Sequence, residues 1–242
     1  IDYNATSPLR AEARTAMISA MDALGNPSSV HAAGRAAKAI VEKARAQIAE
    51  AVGASGADIV FTSSATEAAA LALHGRGLAG AAVEHDAVRA HIEPVLPVTQ
   101  DGAVAVAAPD QSTLQLANSE TGVMQELPKG IAVSDFTQAF GKVPVSFAWS
   151  GATMALVSAH KLGGPKGVGA LIVKQGQDVE ALIQGGGQEM GRRSGTENVI
   201  GIAGFGAAAE AAQRDLETGV WSRVEEFRNI LEITLEDSAK ST

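Results

Sequence analysis

From Asp58 onward, short apolar runs alternate with helical stretches, and that rhythm leaves few folds open. Asp58-Ile59-Val60-Phe61-Thr62 reads as a strand, and a helix begins at Ala65. Further short strands are expected at Ala81–Val83, Ala103–Ala107, Thr113–Ala117, Ile131–Ser134, Met154–Val157 and Gly169–Val173. Strands that alternate with helices pair side by side in parallel, with the helices crossing over the faces of the sheet. Ala103–Ala107 is apolar at nearly every residue, the pattern of a strand covered on both sides. The expected fold is therefore α/β, three layers (α/β/α) around a mostly parallel sheet.

Two helices precede the alternation. Pro8–Leu24 spaces Ala13, Met17, Ala20, Met21 and Leu24 helically, and Pro8 suits a first turn. Gly25-Asn26-Pro27-Ser28-Ser29 is a loop by its turn chemistry. Gly34–Val52 turns Ile40, Val41, Ala44, Ile48 and Val52 inward, with Lys38, Glu42, Lys43 and Glu50 outward. Near the other end, Thr196–Arg214 reads as a long helix packed by small residues. Val220–Leu235 is expected to follow it as another helix, amphipathic through Val224, Phe227, Ile230, Leu231 and Ile233.

Composition narrows the function classes. With 242 residues, 46% of them hydrophobic, the chain can bury a sizeable core. It has no cysteine, which excludes a disulfide scaffold and a thiolate metal site within these residues. Net charge is −8 with no dominant basic patch, so nucleic acid is not an expected partner. The small-apolar run Val199–Ala212 is too short to span a bilayer, so no membrane association is expected. The first residues are not a signal peptide, and the expectation is a soluble cytoplasmic protein. An initiator methionine is lacking and the chain stops abruptly after Ser238-Ala239-Lys240-Ser241-Thr242, so a fragment of a longer chain is expected.

The chemistry-bearing residues fall just after predicted strands. Lys161 follows the apolar run Met154–Val157 and precedes the glycine-rich turn Gly163-Gly164-Pro165-Lys166-Gly167. Ligands of α/β proteins collect at the carboxyl ends of strands. A half-buried lysine amine there is depressed toward its neutral form and can make a Schiff base with an aldehyde, of which pyridoxal phosphate is the obvious one. Most lysines are only solvated charges, so this signal alone is weak. Thr62-Ser63-Ser64-Ala65-Thr66-Glu67 is a turn into a helix whose N–H groups and Thr66 hydroxyl can cradle a phosphate. Equally, Ser63 or Ser64 is an ordinary helix cap there. Asp135 can pair with a pyridinium nitrogen and Gln138 can donate to a ring oxygen, although an aspartate after a strand is often just a turn former. His85 can stack on a flat ring and move protons near neutral pH, or be a half-buried structural histidine. Asn118 is a further candidate, with a turn asparagine as the alternative. No nucleotide phosphate loop is present, since no Ser or Thr follows Lys166 and no Gly-x-Gly-x-x-Gly follows a strand.

Taken in order, Asp2-Tyr3-Asn4-Ala5-Thr6, Gly25-Asn26-Pro27-Ser28-Ser29-Val30-His31, Ala65-Thr66-Glu67, Glu84-His85, Asn118-Ser119-Glu120-Thr121-Gly122, Asp135-Phe136-Thr137-Gln138, Ser158-Ala159-His160-Lys161 with Gly164-Pro165-Lys166-Gly167, and Arg193-Ser194-Gly195-Thr196 make the chain resemble the cysteine desulfurases. These belong to the class V aminotransferase group of fold-type I pyridoxal-phosphate enzymes. The resemblance covers nearly the whole chain. It implies an N-terminal segment over 1–13, a cofactor-binding large domain over 14–216, and at 217–242 a helix leading to a small C-terminal domain that is largely missing. It implies that Lys161 carries the cofactor and moves the substrate α-proton, and that His85 stacks on the ring and shuttles protons. Asp135 holds the ring nitrogen, and Gln138 and Asn118 surround the ring oxygen and substrate. Ala65, Thr66, Ser158 and His160 hold the phosphate, and Thr196 reaches the phosphate of a neighbouring subunit in a homodimer. The implied reaction takes sulfur from L-cysteine, leaves L-alanine and parks the sulfur on an enzyme cysteine, for a sulfur acceptor or an iron–sulfur scaffold protein.

Three departures accompany the likeness. The acceptor cysteine and the arginine for the substrate carboxylate lie, in the family, beyond the point where this chain stops. The intervals Thr66–His85, His85–Asn118 and Asn118–Asp135 are short, with Pro128-Lys129-Gly130 as a tight bypass. Phe136 replaces a small residue, and is expected either to crowd the ring or to fill space left by a trimmed helix. Two other readings are a selenocysteine lyase or other class V aminotransferase, and a non-catalytic scaffold on the same fold.

Overall fold

A period of two along each inner strand builds the three layers. Strand β1 (Ala57–Thr62) sends Ile59 and Phe61 into one apolar cluster and Val60 into another. Strand β5 (Met154–Ser158) divides Ala155 and Val157 from Met154 and Leu156 in the same way, and β6 (Gly169–Lys174) divides Ala170 and Ile172 from Leu171 and Val173. Both faces are therefore apolar and both are covered. On one side lie helices α1 (Ala11–Met21), α2 (Ala32–Ala51) and α6 (Val199–Glu217), which contribute Ala13, Val41, Ile48 and Phe205. On the other lies α3 (Ala65–Leu73), with Ala68, Ala69, Ala72 and Leu73. This is a computed structural model, and it describes residues 2–240. Ile1, Ser241 and Thr242, at the outer bounds of the expected segments 1–13 and 217–242, lie outside the described residues.

The strand order is β1-β6-β5-β4, with β4 at Val133–Asp135. The extended segment 112–116 continues it: Leu114 N–H donates to Val133 O at 3.1 Å and Thr113 N–H to Ala79 O at 2.8 Å. That segment joins β4 to the parallel pair β2 (Ala79–Ala81) and β3 (Glu93–Leu96). Only β6 runs against its neighbours, so the sheet is mixed, though otherwise parallel as expected. The carboxyl ends of β1, β5, β4 and β2 consequently share one edge. Short helices α4 (Asp86–Arg89) and α5 (Phe147–Ser150) fill connections, and α7 (Val220–Lys240) leaves the body after α6. Helix α6 packs closely on α2 because it is built of small residues: a Cβ on Gly206 would lie 2.6 Å from the Cα of Ala44. None of the helices among the described residues is long and apolar enough to cross a membrane.

Several boundaries move. The helix expected from Pro8 begins only at Ala11, because Ser7 N–H donates to His160 O and Arg10 N–H to Gly163 O, both at 2.9 Å. Tertiary bonds there outcompete the local preference for helix. Ala103–Ala107 is not a covered strand. It is the return arm of a surface hairpin turned at Asp101-Gly102, with one bridge from Val104 to Val98 and with Ala103, Ala105 and Ala107 exposed. Alanine removes too little surface from water to demand burial. Strand β3 was not expected, being an exposed edge that contains Pro94. The apolar face of α7 is exposed, Phe227 by 60% and Leu231 by 58%. Phe136 crowds nothing at the sheet edge: it is fully buried and stands edge-on to Phe147, at 6.4 Å between ring centres.

Candidate active site

The shared strand edge gathers most of the expected residues around one cavity of about 160 Å3. It is lined by Ala65 and Thr66 from the start of α3, His85 after β2, Asp135 and Gln138 after β4, and Ser158, His160 and Lys161 after β5. Asn118 and Thr196 are not on its wall. Asn118 spends its side chain on backbone, donating to Val83 O after β2 and accepting from Glu120 and Thr121 N–H of its own loop, each at 2.9 Å. Thr196 lines a separate cleft with Phe61, Ser63 and Arg193.

Gln115 and Ser119 line the cavity without having been singled out. The signal was the two-residue period of extended chain: Gln115, Ala117 and Ser119 face it together, which turns Asn118 away. Gln115 is buried and its Nε2 has no hydrogen-bond partner among the described residues, so the wall holds an unsatisfied donor for a ligand.

One end of the cavity is built for an anion. Ser64 caps α3, its hydroxyl accepting from Glu67 N–H at 3.3 Å, so the first turn of a nine-residue helix faces Ala65 and Thr66 toward the space. Glu67 is held in turn by Arg193, at 2.7 Å. Strand β6 can approach this turn because residue 169 is glycine: a Cβ there would stand 2.5 Å from the carbonyl carbon of Ser64.

Asp135, also on the cavity wall, accepts from Thr137 N–H at 2.8 Å. Burial raises its carboxyl above the usual range, against the hydrogen bonds of Thr137 and the charges of His85 and Lys161, which favour the anion. His85 caps α4 with its Nδ1, which accepts from Ala87 N–H at 3.1 Å. Its neutral proton is therefore on Nε2. Beside it Glu84 is buried, one oxygen accepting from Gln115 N–H at 2.8 Å and the other unpartnered. Burial, reinforced by the Asp135 charge, pushes Glu84 up to about 8.

Lys161 ends a single turn of 3-10 helix, Ala159–Lys161. Burial lowers its amine from the ordinary value, while Asp2, Asp135 and Glu120 pull the other way. The N-terminal segment straps over this turn. Ser7 Oγ donates to Lys161 O at 2.9 Å, Arg10 Nε donates to Leu162 O at 2.8 Å, and Lys161 Nζ donates to Asn4 O at 2.8 Å. Arg10 also pairs with Asp215 of α6 at 2.6 Å. His160 is lowered by burial and by the charges of Lys161, Lys166 and Lys142, and its Nδ1 lies 3.2 Å from Thr6 Oγ1.

The donor set fits pyridoxal phosphate: an anion cradle, a carboxylate, an imidazole, a depressed amine, and a spare amide donor on the wall. The class V aminotransferase family profile matches residues 1–93 and 110–241. The cysteine desulfurase IscS of Dictyoglomus turgidum is 38% identical over 95% of this chain and 67% of its own length. The solved NifS-like protein of Rickettsia africae superposes with a TM-score of 0.89 at 33% identity, over 98% of this chain and 74% of that one. SspA, solved in complex with cysteine, superposes with a TM-score of 0.77 at 29% identity, over 86% of this chain and 71% of that one. The chain spans 62% to 67% of the length of curated cysteine desulfurases that it matches. The chain belongs to the class V aminotransferases and, within them, to the cysteine desulfurases, a pyridoxal-phosphate-dependent family.

Proposed function

We propose that this chain carries the cofactor-binding part of a cysteine desulfurase, and that its cavity takes pyridoxal phosphate and L-cysteine. The observation that carries this reading is the convergence of Lys161, Asp135 and His85 on one cavity with a capped helix start at its end. When bound, pyridoxal phosphate supplies an electron sink for bond breaking at the substrate amino acid. Ala65 and Thr66, with Ser158 and His160, hold the phosphate. Asp135 keeps a proton on the ring nitrogen, and its enclosure makes that charge pairing strong. Lys161 Nζ would be the amine that holds the cofactor and the base that moves the substrate α-proton, a task that burial serves by favouring the neutral amine. His85 carries a proton on Nε2 for exchange with the substrate thiol. The net change is L-cysteine to L-alanine, with the sulfur passing to a cysteine thiolate as a persulfide. No residue of this sequence is a cysteine, so the thiolate must come from outside these 242 residues. Homodimerisation, with Thr196 serving the neighbouring subunit, delivery of sulfur to an acceptor or iron–sulfur scaffold protein, and a cytoplasmic setting complete the proposal.

The test is chemical capture. Borohydride reduction after incubation with pyridoxal phosphate should fix the cofactor on the peptide containing Lys161, seen as a mass increase that Lys161→Ala abolishes. A chain that stays colourless and takes no label would favour the scaffold reading. Comparing alanine release from cysteine and selenocysteine, with an added thiol as acceptor, separates a desulfurase from a selenocysteine lyase.

A further inference from the structure

Lys142 lies outside the residues that line the cavity, yet it reaches one of them. It follows Gly141 in the loop after β4 and is partly buried. Its Nζ donates to Gln138 Oε1 at 2.7 Å and, at longer range, to Gln138 O at 3.4 Å. An ammonium group has donors only, so the end of the Gln138 amide that faces it must be the oxygen. The other end donates from Nε2 to Asn4 O at 3.2 Å, and a carbonyl oxygen can only accept. Both neighbours thus demand the same orientation of a side chain that could otherwise flip. Gln138 lines the cavity, and Asn4 O is also the acceptor for Lys161 Nζ.

We propose that Lys142 is a positioning residue that fixes the Gln138 amide so that it presents N–H groups, never its oxygen, to the ring oxygen of the bound cofactor. The inference rests on the cofactor reading above and adds to it the residue that decides the polarity of that wall. Burial, together with the charge of Lys161, brings Lys142 down to about 8. Lys142 also lines a groove with Glu225 and Arg228 of α7, which Gln138 borders too. The ammonium form, which has no lone pair, is the one that enforces this orientation.

The experiment is a double-mutant cycle on the dissociation constant of pyridoxal phosphate, with borohydride labelling of Lys161 as the control. Lys142→Met should weaken cofactor binding about fivefold to tenfold, the worth of one oriented hydrogen bond. Lys142→Arg, also a pure donor, should stay within about twofold of the parent chain. Since Lys142 acts through Gln138, the Lys142→Met/Gln138→Ala chain should bind no more weakly than Gln138→Ala alone. Gln138→Glu keeps a partner for Lys142 but removes the donor, so it should bind the cofactor less tightly while also giving up the bond to Asn4 O. That variant serves if Lys142→Met proves unstable. Losses that multiply in the double mutant, a Gln138→Glu chain that binds like the parent, or no rescue by arginine would each overturn the assignment. An unlabelled Lys161 in the parent chain would instead overturn the cofactor reading beneath it.

Discussion

Glu84 is the residue whose titration the fold alters most visibly. Its carboxyl moves from an ordinary 4.5 to about 8 because it is buried and faces the Asp135 charge. A raised carboxyl gives stability in full below the unfolded value, and loses it as pH climbs through the folded one. Wild-type stability should therefore fall, relative to Glu84→Gln, between pH 4.5 and about 8. Urea titrations should find the two chains alike near pH 4.5, and the variant ahead by on the order of a few kcal/mol at pH 8. A difference that is flat with pH would show Glu84 to be already charged. At this scale the sequence was legible wherever a residue directly follows a strand, as for Lys161, Asp135 and His85. It was opaque for Glu84, Gln115 and Lys142, whose importance comes from what packs against them across the chain.

At the scale of elements, the β6–α3 contact is the tightest constraint on the anion cradle. A Cβ at residue 169 would meet Ser64 backbone at 2.5 Å and Ala65 N at 2.8 Å. Gly169→Ala should cost about 1–3 kcal/mol of overpacking strain and, by pushing the first turn of α3 aside, weaken pyridoxal-phosphate binding more than Lys142→Arg does. Equilibrium unfolding and cofactor titration read the two effects separately. Buried elements were legible because their periods are forced: β1, β5 and β6 alternate between two cores, and α2 keeps one stripe. Where burial did not decide, the reading slipped. Ala103–Ala107 carries apolar residues too small to need a core, and Pro8–Arg10 gave up a helical turn for bonds to the Lys161 loop. A glutamate at 189 gave no hint of itself either. It is buried against Arg45 at 2.8 Å and 2.9 Å with a left-handed backbone, φ 50°. Arg45→Met should destabilise by about 3–5 kcal/mol, since it leaves that buried charge only the Phe61 N–H as a bonded partner among the described residues, and thermal unfolding of the variant checks it.

For the whole molecule, two regions of different stability are expected. The body holds its sheet between two apolar clusters, whereas α7 exposes Val224, Phe227, Ile230, Leu231 and Leu235. Hydrogen exchange should strip protection from α7 well before α6, and Phe227→Glu should leave the unfolding free energy of the body, from urea titration, within about 0.5 kcal/mol of the parent. Light scattering should show less self-association for that variant, because an uncovered apolar stripe is a contact waiting to form. The other long-range feature is the strap: Ser7 bound at 160, Arg10 at 163 and 215. A stitch spanning some hundred and fifty positions closes late and slowly on a growing polypeptide. During synthesis the Lys161 amine therefore stays unclamped until its own segment has been made, and any tag or tether hung ahead of Asn4 would tug on the carbonyl that accepts from it.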